Sequence, residues 1–380
     1  MKQTARIIST YSADVFGVCS ALFELGGMTI MHDASGCNST YTTHDEPRWY
    51  DMESMVYISG LTEMEAIMGD DEKLIGDIVA AAEDLKPRFI AVAGTPIPTM
   101  TGFDFHAVAE LIEMRTGIPA FGFPTTGMNT YVCGASMAFE ALVDRFADRN
   151  VKKTEYPSAN ILGLTPLDFT VNGSDTAIAA FLEDTGFTIL SRWAMGSTLE
   201  DLAEAGSAHV NLVVSSTGLA AAKKLKEMFG TPYVVGVPVG AEFSALLRSA
   251  LKTAAATGEN QFPSCSLTGG DTFVIGEAVT SLSLASALEL SCGKPVRIVC
   301  PTEITDGLLR EKDIPVTCEE EIDEAIAGAG CIIADPLYKP ICPEGTRFVR
   351  LPAENFSGRI WREEIPNLIT HFENFAKEVL

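Results

Sequence analysis

Residues 32–51, HDASGCNSTYTTHDEPRWYD, gather two histidines, one cysteine, several hydroxyls, an arginine and a tryptophan into a stretch with almost no aliphatic side chains. Folding alone asks for no such inventory. Gly36 stands directly before Cys37, and a residue without a Cβ lets backbone N–H groups approach a sulfur or a cluster. The chemistry this suits is thiolate ligation at Cys37, in a stretch that also holds His44 and Arg48. The same residues also fit a solvated loop carrying a free cysteine. A second loop, residues 94–102 (GTPIPTMTG), has two prolines and two glycines, which fix its shape, and hydroxyls beginning at Thr95. Cys133 lies near an expected helix start, where the helix N-terminus lowers a thiol pKa. Followed by Gly134-Ala135, it reads more readily as a packing residue.

The remaining cysteines narrow the options. There are nine, scattered, with no C-x-x-C pair, which excludes a zinc ribbon or a thioredoxin-type motif. Cys300 follows Arg297-Ile298-Val299 and Cys331 precedes Ile332-Ile333, so both are expected as small buried hydrophobes. No G-x-G-x-x-G follows a strand and no Walker A sequence occurs. Nicotinamide or ATP binding by those routes is therefore not expected.

The elements that must position these residues alternate between short apolar strands and longer helices. Strands are expected at residues 28–31, 88–93, 120–123, 160–164, 187–190, 209–214, 231–235, 296–299 and 331–334. Helices are expected at 13–25, 105–115, 131–146, 175–184 and 365–379. Thr62 and Glu65 form a capping box, and Gly69 stops that helix before another begins. Such alternation gives an α/β chain of mostly parallel, doubly wound sheets with helices on both faces. Three Rossmann-like units are expected around a central cleft: 1–155, 156–268 and a shortened third unit at 269–380. Ligands in such folds collect beyond the carboxyl ends of the strands. The loops of interest are those after Met31, Ala93, Phe123, Leu164, Val214 and Ala334.

The chain has 380 residues, 47% of them apolar, and a formal net charge of −24. A surface this acidic repels nucleic acid and anionic membrane, so neither is an expected partner. No stretch approaches a membrane span, and the N-terminus lacks an apolar leader. A cytoplasmic location is the expectation.

The order of segments resembles the nitrogenase component 1 superfamily. The resemblance rests on Gly36-Cys37 at a strand end, on Arg48-Trp49-Tyr50, and on the Thr-x-Glu-x-x-Ile-x-x-Gly pattern within residues 61–74. It continues through Asn160-Ile161-Leu162-Gly163, Arg192-Trp193 and Phe229-Gly230-Thr231-Pro232. It implies an oxidoreductase subunit that binds an iron–sulfur cluster and takes electrons from an ATP-dependent iron protein. The substrate would be a tetrapyrrole or another small molecule. The resemblance also implies pairing with a second copy or a related component 1 subunit, with a cluster shared at the interface. Cys37 would be a ligand, and Cys19 or Asp14 would assist, since an Asp replaces one cysteine in a protochlorophyllide reductase subunit. Where the family carries a third cluster cysteine this chain has Thr95. The cofactor cysteine of the nitrogenase α subunit would fall near Ser215. A molybdenum cofactor and dinitrogen reduction are therefore not expected. A non-catalytic carrier, scaffold or regulatory subunit of the same fold is the alternative.

Overall fold

The computed structural model describes residues 7, 12–34, 36, 38, 45–304 and 307–380. Its strands form three sheets, and every ladder among the described residues is parallel. The first sheet contains β1 (Met28–Met31), β2 (Met55–Ile58), β3 (Ile90–Ala93) and β4 (Ala120–Phe123), in the order β2-β1-β3-β4. The second contains β5 (Ser158–Leu162), β6 (Thr188–Arg192), β7 (Val210–Val213) and β8 (Tyr233–Val235), in the order β6-β5-β7-β8. The third contains β9 (Thr272–Ile275), β10 (Val296–Cys300), β11 (Ile314–Pro315), β12 (Cys331–Ala334) and β13 (Arg347–Arg350), in the order β11-β10-β9-β12-β13.

Strand alternation explains why the central strands are apolar throughout. Successive side chains point to opposite faces. In the first sheet Met28, Ile30, Ile90 and Val92 face one way, toward helices α3 (Asp71–Leu85) and α5 (Phe105–Thr116). Met31, Ala91 and Ala93 face the other way, toward α1 (Asp14–Leu22) and α6 (Tyr131–Phe146). Both faces are covered, so both sets of positions must be apolar. Each buried Ile or Val contributes about 1.5–3 kcal/mol against exposure. The third sheet repeats the arrangement, with Phe273 and Ile275 in one core and Val274 in the other. Cys300 and Cys331 are buried there, as their sequence context suggests.

Helices α1 and α6 touch backbone to backbone. A Cβ on Gly17 would lie 2.0 Å from the Tyr131 carbonyl oxygen, and one on Gly134 would lie 1.8 Å from that of Asp14. These glycines set the depth at which the start of α6 meets the start of α1. Between β2 and α3 lies α2 (Glu63–Met68), capped by Thr62 and Glu65 and stopped by Gly69 at φ 65°, as the sequence indicates, and α4 (Pro96–Thr101) follows β3.

Some boundaries differ from expectation. The helix expected over 13–25 ends at Leu22, because Gly26, at φ 72°, turns the chain into β1. The last helix starts at Leu368, beyond Pro366, with Asn367 accepting from the N–H groups of Ile369 and Thr370. No helix among the described residues is long and apolar enough to cross a membrane.

Candidate functional site

Two regions lie at carboxyl ends of strands, where parallel sheets place ligands. The first is the entry to the Cys37 loop. Cys37 and His44 themselves lie outside the described residues. His32 and Asp33 follow β1 directly. Nδ1 of His32 is 2.9 Å from Ser59 Oγ, and burial pulls the imidazole pKa down to about 4 against the opposing charge of Glu65. The Asp33 carboxylate accepts from the Ala34 N–H and from Asn38 Nδ2, each at 2.8 Å. Thr95, at the end of β3, donates its hydroxyl to the His32 carbonyl at 2.9 Å. That bond ties the two strand ends together.

Asp14 sits under the same edge, fully buried at the N-terminus of α1. Its Oδ1 accepts from the N–H groups of Val15 at 2.9 Å and Gly127 at 2.8 Å. Its Oδ2 accepts from Thr126 N–H at 3.0 Å and Asn129 Nδ2 at 3.1 Å. A carboxylate has about four lone-pair sites, so this set occupies them all and fixes the loop after β4 to α1. Cys19 lies further along α1, wholly buried in the main core. Burial, then the charge of Glu46, pushes its thiol far above the ordinary range. Arg48 is also buried. Its Nε donates to Glu46 at 2.6 Å, its Nη1 to Glu24 at 3.0 Å and to the Ala194 carbonyl at 2.7 Å, and its Nη2 to the Ser20 carbonyl at 2.9 Å. It clamps the chain after the Cys37 loop onto α1 and onto the second sheet. Cys133 is half-buried, and burial followed by the charges of Glu303 and Asp14 raises its thiol pKa. The lowering expected from a helix start is outweighed.

The second region is where the three sheets meet. Five elements deliver polar side chains to it. Tyr131 opens α6 after β4. Asp168 lies on the short helix Pro166–Phe169 after β5. Ser215 and Ser216 follow β7, Glu277 follows β9, and Asn355 follows β13 on the short helix Glu354–Ser357. All of these are buried except Asp168, which keeps partial exposure on the cavity it lines. Tyr131 donates its hydroxyl to Asp168 Oδ1. Asn355 Nδ2 donates to the Tyr131 oxygen at 2.7 Å and to Asp168 Oδ1 at 3.2 Å. Thr165 Oγ1 donates to Asp168 Oδ2 at 2.8 Å. Glu277 Oε1 accepts from the Ser216 N–H at 2.9 Å and from its hydroxyl, and Val279 and Thr280 N–H donate to Glu277 at 3.0 and 2.9 Å. Glu277 thus caps the helix Ala278–Cys292 and holds the loop after β7 to it.

Desolvation by the surrounding protein, then the charge of Glu277, pushes the Asp168 carboxyl up to about 7, although hydrogen bonds from Tyr131, Ser215 and Thr165 oppose the shift. Burial and the Asp168 charge raise Tyr131 well above the usual phenol range, so it stays a donor. Asp168, Glu277, Thr280 and Asn355 line a cavity of about 90 Å³, with Leu284 and Phe356 among its apolar walls. A carboxyl that titrates near neutrality beside such a space is equipped to give and take a proton. The sequence marked the loops after Leu164 and Val214 but not Asp168, Glu277, Tyr131 or Asn355. The available signal was a polar residue closely following an apolar strand, as in Gly276-Glu277.

The family model for nitrogenase component 1 type oxidoreductases matches residues 15–263. The chain belongs to that family. A light-independent protochlorophyllide reductase subunit of Prosthecochloris aestuarii is 26% identical over 219 residues, covering 56% of this chain and 40% of that protein. The nitrogenase iron-molybdenum cofactor biosynthesis protein NifE of Clostridium pasteurianum is 24% identical over 240 residues, covering 61% of this chain and 51% of that one. The matched region therefore spans about half or less of these curated relatives. A solved structure, nitrogenase Cp1 at pH 6.5, superimposes with a TM-score of 0.71 at 18% identity, covering 100% of this chain and 93% of that one. That likeness shows the fold.

Nitrogenase component 1 proteins bind iron–sulfur clusters, and a four-iron cluster takes about four ligands, mostly thiolates. The described residues do not fit that requirement. Cys19 is wholly buried among the apolar side chains of the main core, Asp14 has no lone pair left, and Thr95 is a hydroxyl engaged with His32. Among the described residues no group of three or more His, Cys, Asp or Glu side chains is arranged to hold a metal ion.

Proposed function

We propose that this chain is a nitrogenase-like component 1 subunit that reduces a small molecule other than dinitrogen at the junction of the three sheets. The observation that carries the reading is Asp168. Its carboxyl titrates near 7, is hydrogen-bonded to Tyr131, and lines a cavity at the strand ends. A reduction consumes protons with its electrons, and a desolvated acid at this pKa supplies them at neutral pH. The cavity, at about 90 Å³, is too small for a tetrapyrrole, which favours the small-molecule alternative. Electrons would come from an ATP-dependent iron protein, as the likeness to nitrogenase component 1 proteins implies. Cys37 is proposed as a ligand of a cluster shared with a second copy or a related subunit, since two chains together offer more thiolates than one.

The carrier or scaffold reading is favoured by the loss of thiols, with Ser215 and Thr95 at positions where the family places cysteines. Purification without oxygen, followed by iron analysis and a visible spectrum, separates the two. The reductase reading expects iron-bound, coloured protein, with colour lost in Cys37→Ala. With the iron protein and MgATP, it expects consumption of a low-potential reductant that Asp168→Asn slows about 100-fold or more at pH 7. Iron-free, colourless protein in the presence of its partners would leave the carrier reading standing.

A further inference from the structure

Strand β4 is an outer strand of the first sheet, and its free edge opens between two helices. The carbonyls of Pro119 and Phe123 accept from Ile90 and Gly94 on the β3 side. Backbone groups alternate along a strand, so those of Ala120 and Gly122 point away from the sheet. Glu113 Oε2 takes the Ala120 N–H at 2.9 Å. The Ala120 carbonyl and both backbone groups of Gly122 form no hydrogen bond on that side among the described residues. Such an edge takes up another strand unless it is covered. Here it is the floor of a groove of about 760 Å³, with α5 as one wall and α6 as the other. A Cβ on Gly122 would lie 1.9 Å from the Phe105 carbonyl oxygen, so the α5 wall begins directly on the strand. The walls carry charge of one sign. Glu110 and Glu113 are on α5, Glu140 and Asp144 are on α6, and Arg145 is the only lysine or arginine among the described residues that lines the groove. Arg145 pairs with Glu113, and Lys224 of the helix Leu219–Phe229 pairs with Asp144 at 2.9 Å. Glu110 and Glu140, one on each wall, are exposed and outside both pairs.

We infer that this edge binds an extended, basic segment of another protein, which adds to the first sheet as a strand beside β4. The side chains of a strand alternate between its two faces, so one set would meet Glu110 on α5 and the other Glu140 on α6. Both sets face carboxylates, and lysine or arginine suits both. Their aliphatic stems would lie along Ala109 on one wall and Met137 on the other. Main-chain bonds would run over the four residues of β4, which Pro119 and Pro124 bracket. A second copy of this chain is disfavoured as the occupant, because its own β4 would bring the same carboxylates against these. The inference is independent of the chemistry at the three-sheet junction.

Fluorescence anisotropy of a labelled peptide, acetyl-Lys-Lys-Val-Val-Lys-Lys-amide, titrated with the full chain tests it. Saturable binding is expected, with half-saturation on the order of 100 µM at low salt, since the paired segment is far smaller than a standard interface. The same peptide N-methylated along its backbone keeps its charge but loses its N–H donors, and should not bind. Glu110→Lys with Glu140→Lys should weaken binding about tenfold or more. Glu83→Lys with Asp84→Lys, equally exposed on α3, makes the same change in net charge and should leave binding within about twofold. All four positions are on the surface, so both variants should fold. No saturable binding, equal binding of the N-methylated peptide, or equal weakening in the two charge variants overturns the inference. If a second copy covers the edge instead, the peptide fails to bind and Glu110→Lys with Glu140→Lys changes the oligomeric state in sedimentation, which overturns it as well.

Discussion

Asp168→Asn is expected to stabilise the protein at pH 8 and to remove a pH dependence. Desolvation and the Glu277 charge hold the folded carboxyl at about 7, against 3.8 for the ordinary group. The folded state therefore keeps a proton that the unfolded chain has already released across this window. Stability from this group is fully present below about pH 4 and is lost as pH rises to about 7, the reverse of a salt-bridged carboxylate. A gap of about three pH units corresponds to roughly 4 kcal/mol. Asparagine keeps the shape and is neutral at every pH. Its oxygen accepts from Tyr131, and its NH₂ faces Thr165, whose hydroxyl can turn to accept. Urea unfolding of wild type and variant at pH 5, 6, 7 and 8 reads the difference directly, since all other groups titrate in both proteins. The variant should gain a few kcal/mol relative to wild type between pH 5 and 8. Parallel pH profiles, or a variant less stable than wild type at pH 8, would refute the reasoning.

Two further perturbations test what positions the site. Arg48→Met takes the guanidinium from Glu24, Glu46 and the Ala194 carbonyl. It should cost about 3–5 kcal/mol in urea unfolding, as breaking a buried ion pair does; a change below about 1 kcal/mol would show that the clamp contributes little. Gly134→Ala places a methyl group 1.8 Å from the Asp14 carbonyl oxygen. Helices α1 and α6 must then separate, so the yield of folded protein should collapse, and an unchanged melting temperature would contradict the close crossing.

The sequence disclosed the fold better than the site, for a physical reason. Strands buried on both faces, such as Ile90–Ala93 and Cys331–Ala334, read as unbroken apolar runs, and the Thr62–Glu65 box announces its own helix. Strand β2 is missing from the expected strands because it is an edge strand with only Val56 buried, leaving no such run. The junction was illegible for a different reason. Tyr131, Asp168, Glu277 and Asn355 are separated by up to 224 residues and meet only because three sheets converge. Each alone looks like a helix start, a turn or a cap, and Glu277 is in fact a cap as well. Asp14 and Arg48 stand out in the sequence as charged residues in an unusual neighbourhood. Their tightly bonded surroundings, which a sequence does not display, give them structural work instead.

Glu277 shows how stability and chemistry share residues here. Its carboxylate is held by donors from the loop after β7 and from the helix it caps, so two units of the fold depend on it. Buried carboxylates are retained where hydrogen bonds satisfy them, and this one is well satisfied. The same charge lies close enough to Asp168 to raise its pKa, after desolvation itself. A neutral cap such as serine would accept one N–H of the helix start and leave the Ser216 donors to other partners. It would not raise the acid beside it, and it would lower the negative potential in the cavity. The acidic residue at this cap therefore serves the fold and the acid beside it at once.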